Sequence, residues 1–309
     1  MNKNHNEPSE CGAGVSVIIP TYNRRELLKR TLDSLCEQTL GPQSYEIIIV
    51  DDGSNDGTAK MVSHYQGTAT IQYIFQPDEG FQVAKARNKG LSKARFDTIL
   101  FLDCGMIAHP TLLSIHLQCH GETANLVLIG MSYGIEAVAL SECDLIKHTM
   151  AENEIATAFE LFSKNHQLMD CRGRFFAKFN FDLEMLNAPW VIFWTSCISV
   201  SRSDVARVGG FDERFCAWGG EDVDLGYRLF HAGCKFVLHQ SLLTVHYPHE
   251  KDIENKEEQA KGNVAYLMRK YSDQWINMLV NKSWSEICEQ SLKPVHAQPQ
   301  ASLFEEANE

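Results

Sequence analysis

The chain has 309 residues, enough for about two domains or for one α/β domain with appendages. With 44% hydrophobic and 22% charged residues it has ordinary globular usage, which excludes a wholly disordered chain, a collagen or a coiled coil. Its net charge of 28 − 40 = −12 argues against a nucleic-acid partner, because sequence-independent binding depends on Lys and Arg neutralising phosphates.

No apolar run approaches the roughly 18 residues of a membrane helix, and the opening MNKNHNEPSE lacks the apolar core of a signal peptide. The expectation is a cytoplasmic protein without a transmembrane segment, with peripheral membrane contact left open. The ten cysteines are scattered without a Cys-x-x-Cys pair, which suits free thiols in a reducing compartment rather than a disulfide framework or a zinc site.

In chain order, residues 1–13 read as a disordered arm. Val15–Ile19 is a continuous β-branched apolar run, the mark of a strand buried on both faces of a parallel sheet. Pro20–Arg24 breaks it, and Leu27, Leu28, Leu32 and Leu35 then follow helical spacing over Glu26–Gln38. A second strand, Tyr45–Val50, ends in Asp51-Asp52-Gly53-Ser54, and a helix covers about Gly57–Tyr65. A third strand near Thr70–Phe75, a helix over about Val83–Ala94 and a fourth strand, Thr98–Leu102, complete the first half. Strand–helix alternation with short loops predicts a doubly wound, mostly parallel sheet with ligands beyond the strand carboxyl ends. Tyr22-Asn23-Arg24, Asp51-Asp52 and Asp103 all fall at such ends.

The second half is less regular. Leu126–Met131 and Trp190–Val200 read as strands, and residues 141–187 as helices and an excursion over the sheet. Residues 222–232 form a helix whose opening acidic residues suit its positive end. Lys235–Leu238 and Leu242–His246 read as two short strands, 255–290 as helical, and 293–309 as a disordered acidic tail.

The glycine-rich phosphate fingerprints of dinucleotide-binding and P-loop proteins are absent. Acidic groups at strand ends suit ribose hydroxyls, a uracil N–H or a divalent cation on a diphosphate instead. Val15-Ser-Val-Ile-Ile-Pro-Thr-Tyr-Asn-Arg24, Ile49-Val-Asp-Asp-Gly-Ser-Asn-Asp-Gly-Thr58, Gly80-Phe-Gln-Val-Ala-Lys-Ala-Arg-Asn-Lys-Gly90 and Leu102-Asp-Cys-Gly-Met106 together resemble family 2 glycosyltransferases of the GT-A fold. Gly209-Gly-Phe-Asp-Glu-Arg-Phe-Cys-Ala-Trp-Gly-Gly-Glu-Asp-Val-Asp224 resembles the acceptor-side motif of galactosyltransferases and bacterial chondroitin-type polymerases. The ordered set covers about residues 15–250 and divides the chain into a GT-A domain over 14–250 and a helical extension over 251–292. Within the domain, the donor half would span about 14–130 and the acceptor half about 131–250.

The resemblance implies inverting transfer of a sugar from a UDP-sugar to a hydroxyl. Pro20, Tyr22 and Arg24 would border the uridine, Asp51 would take the uracil N–H, and Arg87 and Asn88 would face the nucleotide. Asp103 matches the first carboxylate of the Asp-x-Asp signature, but Gly105 replaces the second. His246 aligns with a histidine that completes the metal shell in relatives, with His249 and His109 as weaker substitutes, so a Mn2+ or Mg2+ cofactor would rest on Asp103 and His246. Asp222 is the expected general base, Glu221 the ligand of a donor-sugar hydroxyl, Gly220 a close backbone approach and Trp218 a platform for a sugar face. Each has a plain structural alternative: a capping turn at Asp51-Asp52, a solvated helix face at Arg87 and Asn88, a helix cap at Glu221 and Asp222, a core residue at Trp218.

Paired carboxylates also suit a glycoside hydrolase, but that leaves Asp51 and Asp103 unexplained. A nucleotidyltransferase would need the missing basic glycine-rich loop. The remaining alternative is a catalytically weakened homologue that binds a sugar or nucleotide. Candidate acceptors are a glycan, a lipid-linked sugar or a specialised metabolite, and neither donor sugar nor oligomeric state is legible.

Overall fold

The computed structural model describes residues 13–65, 69–137, 139–250 and 253–294, with the backbone alone for 253–257. The arm expected over 1–13 and the tail expected over 293–309 lie outside these residues, apart from residue 13 and residues 293–294.

The first half runs β1 (Val15–Thr21), α1 (Arg25–Cys36), β2 (Tyr45–Asp51), α2 (Thr58–Val62), β3 (Thr70–Phe75), α3 (Val83–Lys93) and β4 (Thr98–Leu102). Each expected element is present, with ends displaced by a few residues. The second half runs β5 (Met106–Ala108), α4 (Leu112–Glu122), β6 (Leu126–Tyr133), α5 (Leu140–Glu152), α6 (Ile155–Ser163) and α7 (Cys171–Phe176). It continues through β7 (Cys197–Ser201), α8 (Arg202–Arg207), α9 (Glu221–His231) and β8 (Lys235–His246) to α10 (Ile253–Lys270), α11 (Gln274–Met278) and α12 (Trp284–Gln290).

These strands form one eight-stranded sheet in the order β3-β2-β1-β4-β7-β6-β8-β5. β1 pairs parallel with β2 and β4, β2 with β3, and β6 with β8. β7 runs antiparallel to β4 and β6, and β5 antiparallel to β8. The expected mostly parallel, doubly wound sheet is therefore present with antiparallel insertions. Side chains alternate across it. Ile18, Ile99 and Phe101 join the core that includes Trp190 and Phe193, whereas Val17, Ile19, Leu100 and Leu102 pack under Leu28, Leu32 and Leu35 of α1.

Two strand assignments need correction. The run expected as a strand over Trp190–Val200 begins as a 3-10 turn, Pro189–Ile192, and becomes strand only at Cys197. Pro189 has no N–H for a ladder, and Trp190 and Phe193 are apolar because they are buried in the core, not because they belong to the sheet. The two short strands expected over 235–246 are one strand, β8. Its register against β6 jumps from Ile129↔Leu238 to Met131↔Leu243, so a bulge holds the polar residues between them.

Candidate active site

The strand order places a topological switch beside β1, whose neighbours β2 and β4 are each reached through a helix. A cavity of about 980 Å³ opens at the carboxyl ends of these strands. Of the sequence-predicted residues, Pro20, Tyr22, Arg24, Arg87, Asp103, Trp218, Gly220, Glu221, Asp222 and His246 line it. Asp51, Asn88 and His109 do not.

At the β1–β2 end, the two adjacent aspartates point to different environments. Asp51 is fully buried: Oδ1 accepts from the Ser54 N–H at 2.7 Å and Oδ2 from the Tyr73 hydroxyl at 2.5 Å. Asp52 lines the cavity, accepting from Gln76 Nε2 at 2.6 Å and from the Gln82 N–H at 3.0 Å. Burial pushes its carboxyl up from the usual range against the pull of those two donors. The Tyr22 hydroxyl donates to Asp78 Oδ2 at 2.8 Å, so Tyr22 and Asp78 form one rim of the cavity.

Arg87, on α3, is the electrostatic centre. Its Nη1 donates to Glu221 Oε1 and its Nη2 to Asp103 Oδ1, each at 2.9 Å. Burial opposes the charge of the guanidinium, but Asp103 and Glu221 outweigh it and raise its pKa. Arg87 Nε and Glu221 Oε2 are buried without a hydrogen-bond partner, and Glu221 is only 6% exposed. Unsatisfied buried polar atoms are costly, and both of these belong to side chains that line the cavity. Asn88, one residue on, is turned away: it accepts from the Phe211 N–H and donates to the Phe211 carbonyl and Glu213, tying α3 to the Gly209–Glu213 segment.

Asp103 opens a tight turn in which the Met106 N–H donates to the Asp103 carbonyl at 3.1 Å. Gly105 sits in it at φ +97°, a conformation that favours glycine. The turn starts β5, which pairs with β8 at Met106↔His246, while the Tyr247 N–H donates to the Gly105 carbonyl at 3.0 Å. This pairing carries His246 across 143 positions of sequence to the Asp103 wall. His249 is beside it, with ring centroids 5.1 Å apart. His109 is elsewhere, with its ring edge-on to Phe159 and its Nδ1 against Thr111. Among the described residues no cluster of three His, Cys, Asp or Glu could hold a metal ion alone. Asp103 and His246 both line the cavity and offer one carboxylate and one imidazole, fewer donors than Mn2+ or Mg2+ takes, so substrate oxygens would have to complete any shell.

At the opposite wall, Gly219 and Gly220 take φ +87° and +96° and turn the chain into α9, bringing Glu221 and Asp222 to its first turn. Burial, followed by the charge of Glu221, pushes the Asp222 carboxyl up to about 8, while Arg87 pulls the other way. Trp218 lines the cavity with 42% of its surface exposed, so it is not a core residue. The loop is clamped from α10. Asn263 Nδ2 donates to the carbonyls of Ala217, Trp218 and Gly219, and the Trp218 N–H donates to Gln259. Ala260, Val264, Leu267 and, after α11, Leu279 also line the cavity, so the helices expected as an extension beyond residue 250 take part in the site. Sequence reasoning missed them and Asp78, and placed Asp52 at a strand end without giving it a role. The only available signal for α10 was its apolar stripe at 260, 264 and 267.

Residues 16–181 match the family described as Glycosyl transferase family 2, and residues 177–252 match the N-terminal domain of galactosyltransferase. Over 255 residues, 82% of this chain, it is 37% identical to validoxylamine A glucosyltransferase of Streptomyces hygroscopicus subsp. limoneus, covering 54% of that protein. Chondroitin synthase of Escherichia coli is 32% identical over 83% of this chain and 38% of its own. The uncharacterized glycosyltransferase YfnE of Bacillus subtilis is 31% identical over 84% of this chain and 70% of its own. The chain thus spans about half the length of the validoxylamine relative. Among solved structures, Staphylococcus aureus TarS 1-349 in complex with UDP-GlcNAc superposes with a TM-score of 0.58 at 15% identity, over 86% of this chain and 70% of that one. The mannosyltransferase PcManGT from Pyrobaculum calidifontis, in complex with GDP-Man and Mn2+, gives 0.58 at 15% identity over 89% and 71%. The shared fold is GT-A.

Proposed function

The chain belongs to glycosyltransferase family 2, and we propose that it moves a hexosyl group from a UDP-sugar to an acceptor hydroxyl with inversion, using Asp222 as general base. The observation that carries this reading is the Asp103–Arg87–Glu221 ion chain, which meets Asp222 in one cavity at the strand carboxyl ends. In the proposed reaction the acceptor oxygen forms a bond to the anomeric carbon on the face opposite the diphosphate. Its proton passes to an Asp222 carboxylate oxygen, and the carbon–oxygen bond to UDP breaks with the electron pair leaving on UDP. The unpartnered Glu221 Oε2 accepts a donor-sugar hydroxyl, and Arg87 holds Glu221 and Asp103 in fixed relation. Asp52, Tyr22, Asp78, Arg24 and Pro20 border the nucleoside, with Asp51 supporting that wall through Ser54 and Tyr73. Asp103 and His246 would hold a divalent cation with the help of substrate oxygens, and such a cation would supply Lewis-acid stabilisation of the charge that develops on the departing UDP.

The test is a panel of UDP-, GDP- and ADP-sugars screened by thermal shift with and without manganese, followed by UDP release. A ligand at 100 Kd stabilises the native state by about 2.7 kcal/mol. UDP-sugars should raise Tm, and at least one should release UDP with an acceptor present. Stabilisation without turnover across donors and acceptors would favour the weakened, binding-only homologue. No stabilisation by any uridine nucleotide would refute the donor site.

A further inference from the structure

The wall beside Asp222 has a chemical character of its own. α10 faces the cavity with Ala260 and Val264, one helical turn apart, and Leu267 backs them from full burial. Leu279, Val223 and Trp218 continue the apolar surface. The wall abuts the turn that precedes the base: a Cβ built on Gly219 would lie 3.6 Å from Ala260 Cβ, and one on Gly220 would lie 3.6 Å from Leu267 Cδ1.

Its charge is as one-sided as its polarity. Among the described residues that line the cavity there are five carboxylates, of Asp52, Asp78, Asp103, Glu221 and Asp222. The arginines are two, Arg24 and Arg87, and there is no lysine. Both terminal nitrogens of Arg87 are taken by Asp103 and Glu221. Lys270, at the end of α10, is bound to Asp212 and Asp224 and does not line the cavity. An anionic group brought to this wall would therefore meet Glu221 and Asp222 where, among the described residues, carboxylates outnumber guanidiniums and Arg87 is already engaged by two of them.

Resting on the reading of Asp222 as the base, we propose that the α10–α11 wall is the acceptor subsite and that it selects a neutral acceptor with an apolar face over one bearing a carboxylate or phosphate. The wall takes the C–H face of a ring or an apolar aglycone, leaving a hydroxyl directed at Asp222. Acceptor charge is thus read by the excess of carboxylates around the base, and acceptor shape by Val264 and Leu279.

The test uses the full chain saturated with UDP and manganese. Octyl β-D-glucopyranoside is titrated against octyl β-D-glucopyranosiduronate, which differs by one carboxylate, with tryptophan fluorescence as readout. UDP affinity is measured separately by calorimetry. The glucoside should bind at least tenfold more tightly than the uronate at pH 8. Val264→Lys should weaken glucoside binding and shrink or invert the ratio, with UDP affinity unchanged. Leu279→Lys serves as a second, independent variant in case the first fails to fold. Equal or tighter binding of the uronate, binding of neither probe, or a ratio indifferent to both lysines would overturn the assignment. Failure of UDP itself to bind would instead overturn the donor-site reading on which it rests.

Discussion

Asp222→Asn should slow turnover sharply and at the same time stabilise the protein. The carboxyl has an ordinary value of 3.8 and is pushed up to about 8 in the folded chain, first by burial and then by the charge of Glu221. A folded value above the unfolded one means the native state binds the extra proton between those limits. Stability therefore falls as pH rises from about 4 towards 8. Each unit is worth about 1.4 kcal/mol, so a half-buried group, after discounting for solvent screening, costs the native state on the order of 2 kcal/mol at neutral pH. Asparagine removes that cost and can still accept the hydrogen bond that Asp222 Oδ1 receives from the Val223 N–H. At roughly 2–4 °C per kcal/mol, Tm should rise by about 5 °C at pH 8, with the gain vanishing near pH 4. Loss of the base should lower kcat by roughly 10²–10⁴, and in the parent kcat/KM should climb with pH up to a limb near 8. The assay is a thermal scan at pH 4, 6 and 8 beside initial-rate UDP release. A variant that is less stable at pH 8, or that retains near-normal turnover, would refute the reasoning.

Arg87→Met leaves Asp103, Glu221 and Asp222 facing one another without a cation; breaking such a buried pair should cost about 3–5 kcal/mol in urea unfolding at pH 7. An equal loss in Arg87→Lys, which keeps a positive charge, would show that packing and geometry, not charge, are at stake. Gly105→Asp should tighten manganese binding by calorimetry while lowering stability by about 1–3 kcal/mol, because φ is +97° even though the new Cβ would meet Leu27 at an ordinary 3.7 Å. Unchanged manganese affinity would remove the cation from the Asp103 wall. Asp52→Asn should weaken UDP binding at least tenfold, whereas Asp51→Asn should cost about 1–3 kcal/mol of stability through Ser54 and Tyr73. Lost UDP affinity in a fully stable Asp51 variant would return the uracil contact to Asp51.

The donor half was legible because β1, β2 and β4 are buried on both faces and α1 is amphipathic, so apolar runs and helical spacing specify them directly. Val15–Ile19 and Leu28, Leu32 and Leu35 are examples. Which of Asp51 and Asp52 faces the cavity was not legible. Side-chain direction at a strand end depends on the local turn, and a shift of one residue reverses it. Trp190–Phe193 misled for a related reason: burial alone does not distinguish a strand from a buried 3-10 turn, and Pro189 was the overlooked signal. The Asn263 clamp was out of reach, since an asparagine on a helix carries no mark of the three carbonyls it holds more than 40 residues away.

Gly105 is better understood as part of a turn than as a lost ligand. The segment after Asp103 must reverse within one hydrogen-bonded turn for Met106 to pair with His246, and position 105 carries the left-handed backbone that makes this possible. The same residue is gripped on both sides: its N–H donates to Thr31 Oγ1 of α1 at 2.9 Å, and its carbonyl accepts from Tyr247 just after β8. An aspartate there would add an oxygen ligand but strain the connection that delivers the imidazole. Position 105 thus serves the geometry that sets Asp103 and His246 on one wall. Any cation affinity then depends on oxygens brought by the substrate, so metal and donor should bind cooperatively. By linkage, manganese should raise UDP affinity by the same factor as UDP raises that of manganese. Calorimetric titrations of each ligand with and without the other measure both factors, and independence of the two would separate the cation from the diphosphate.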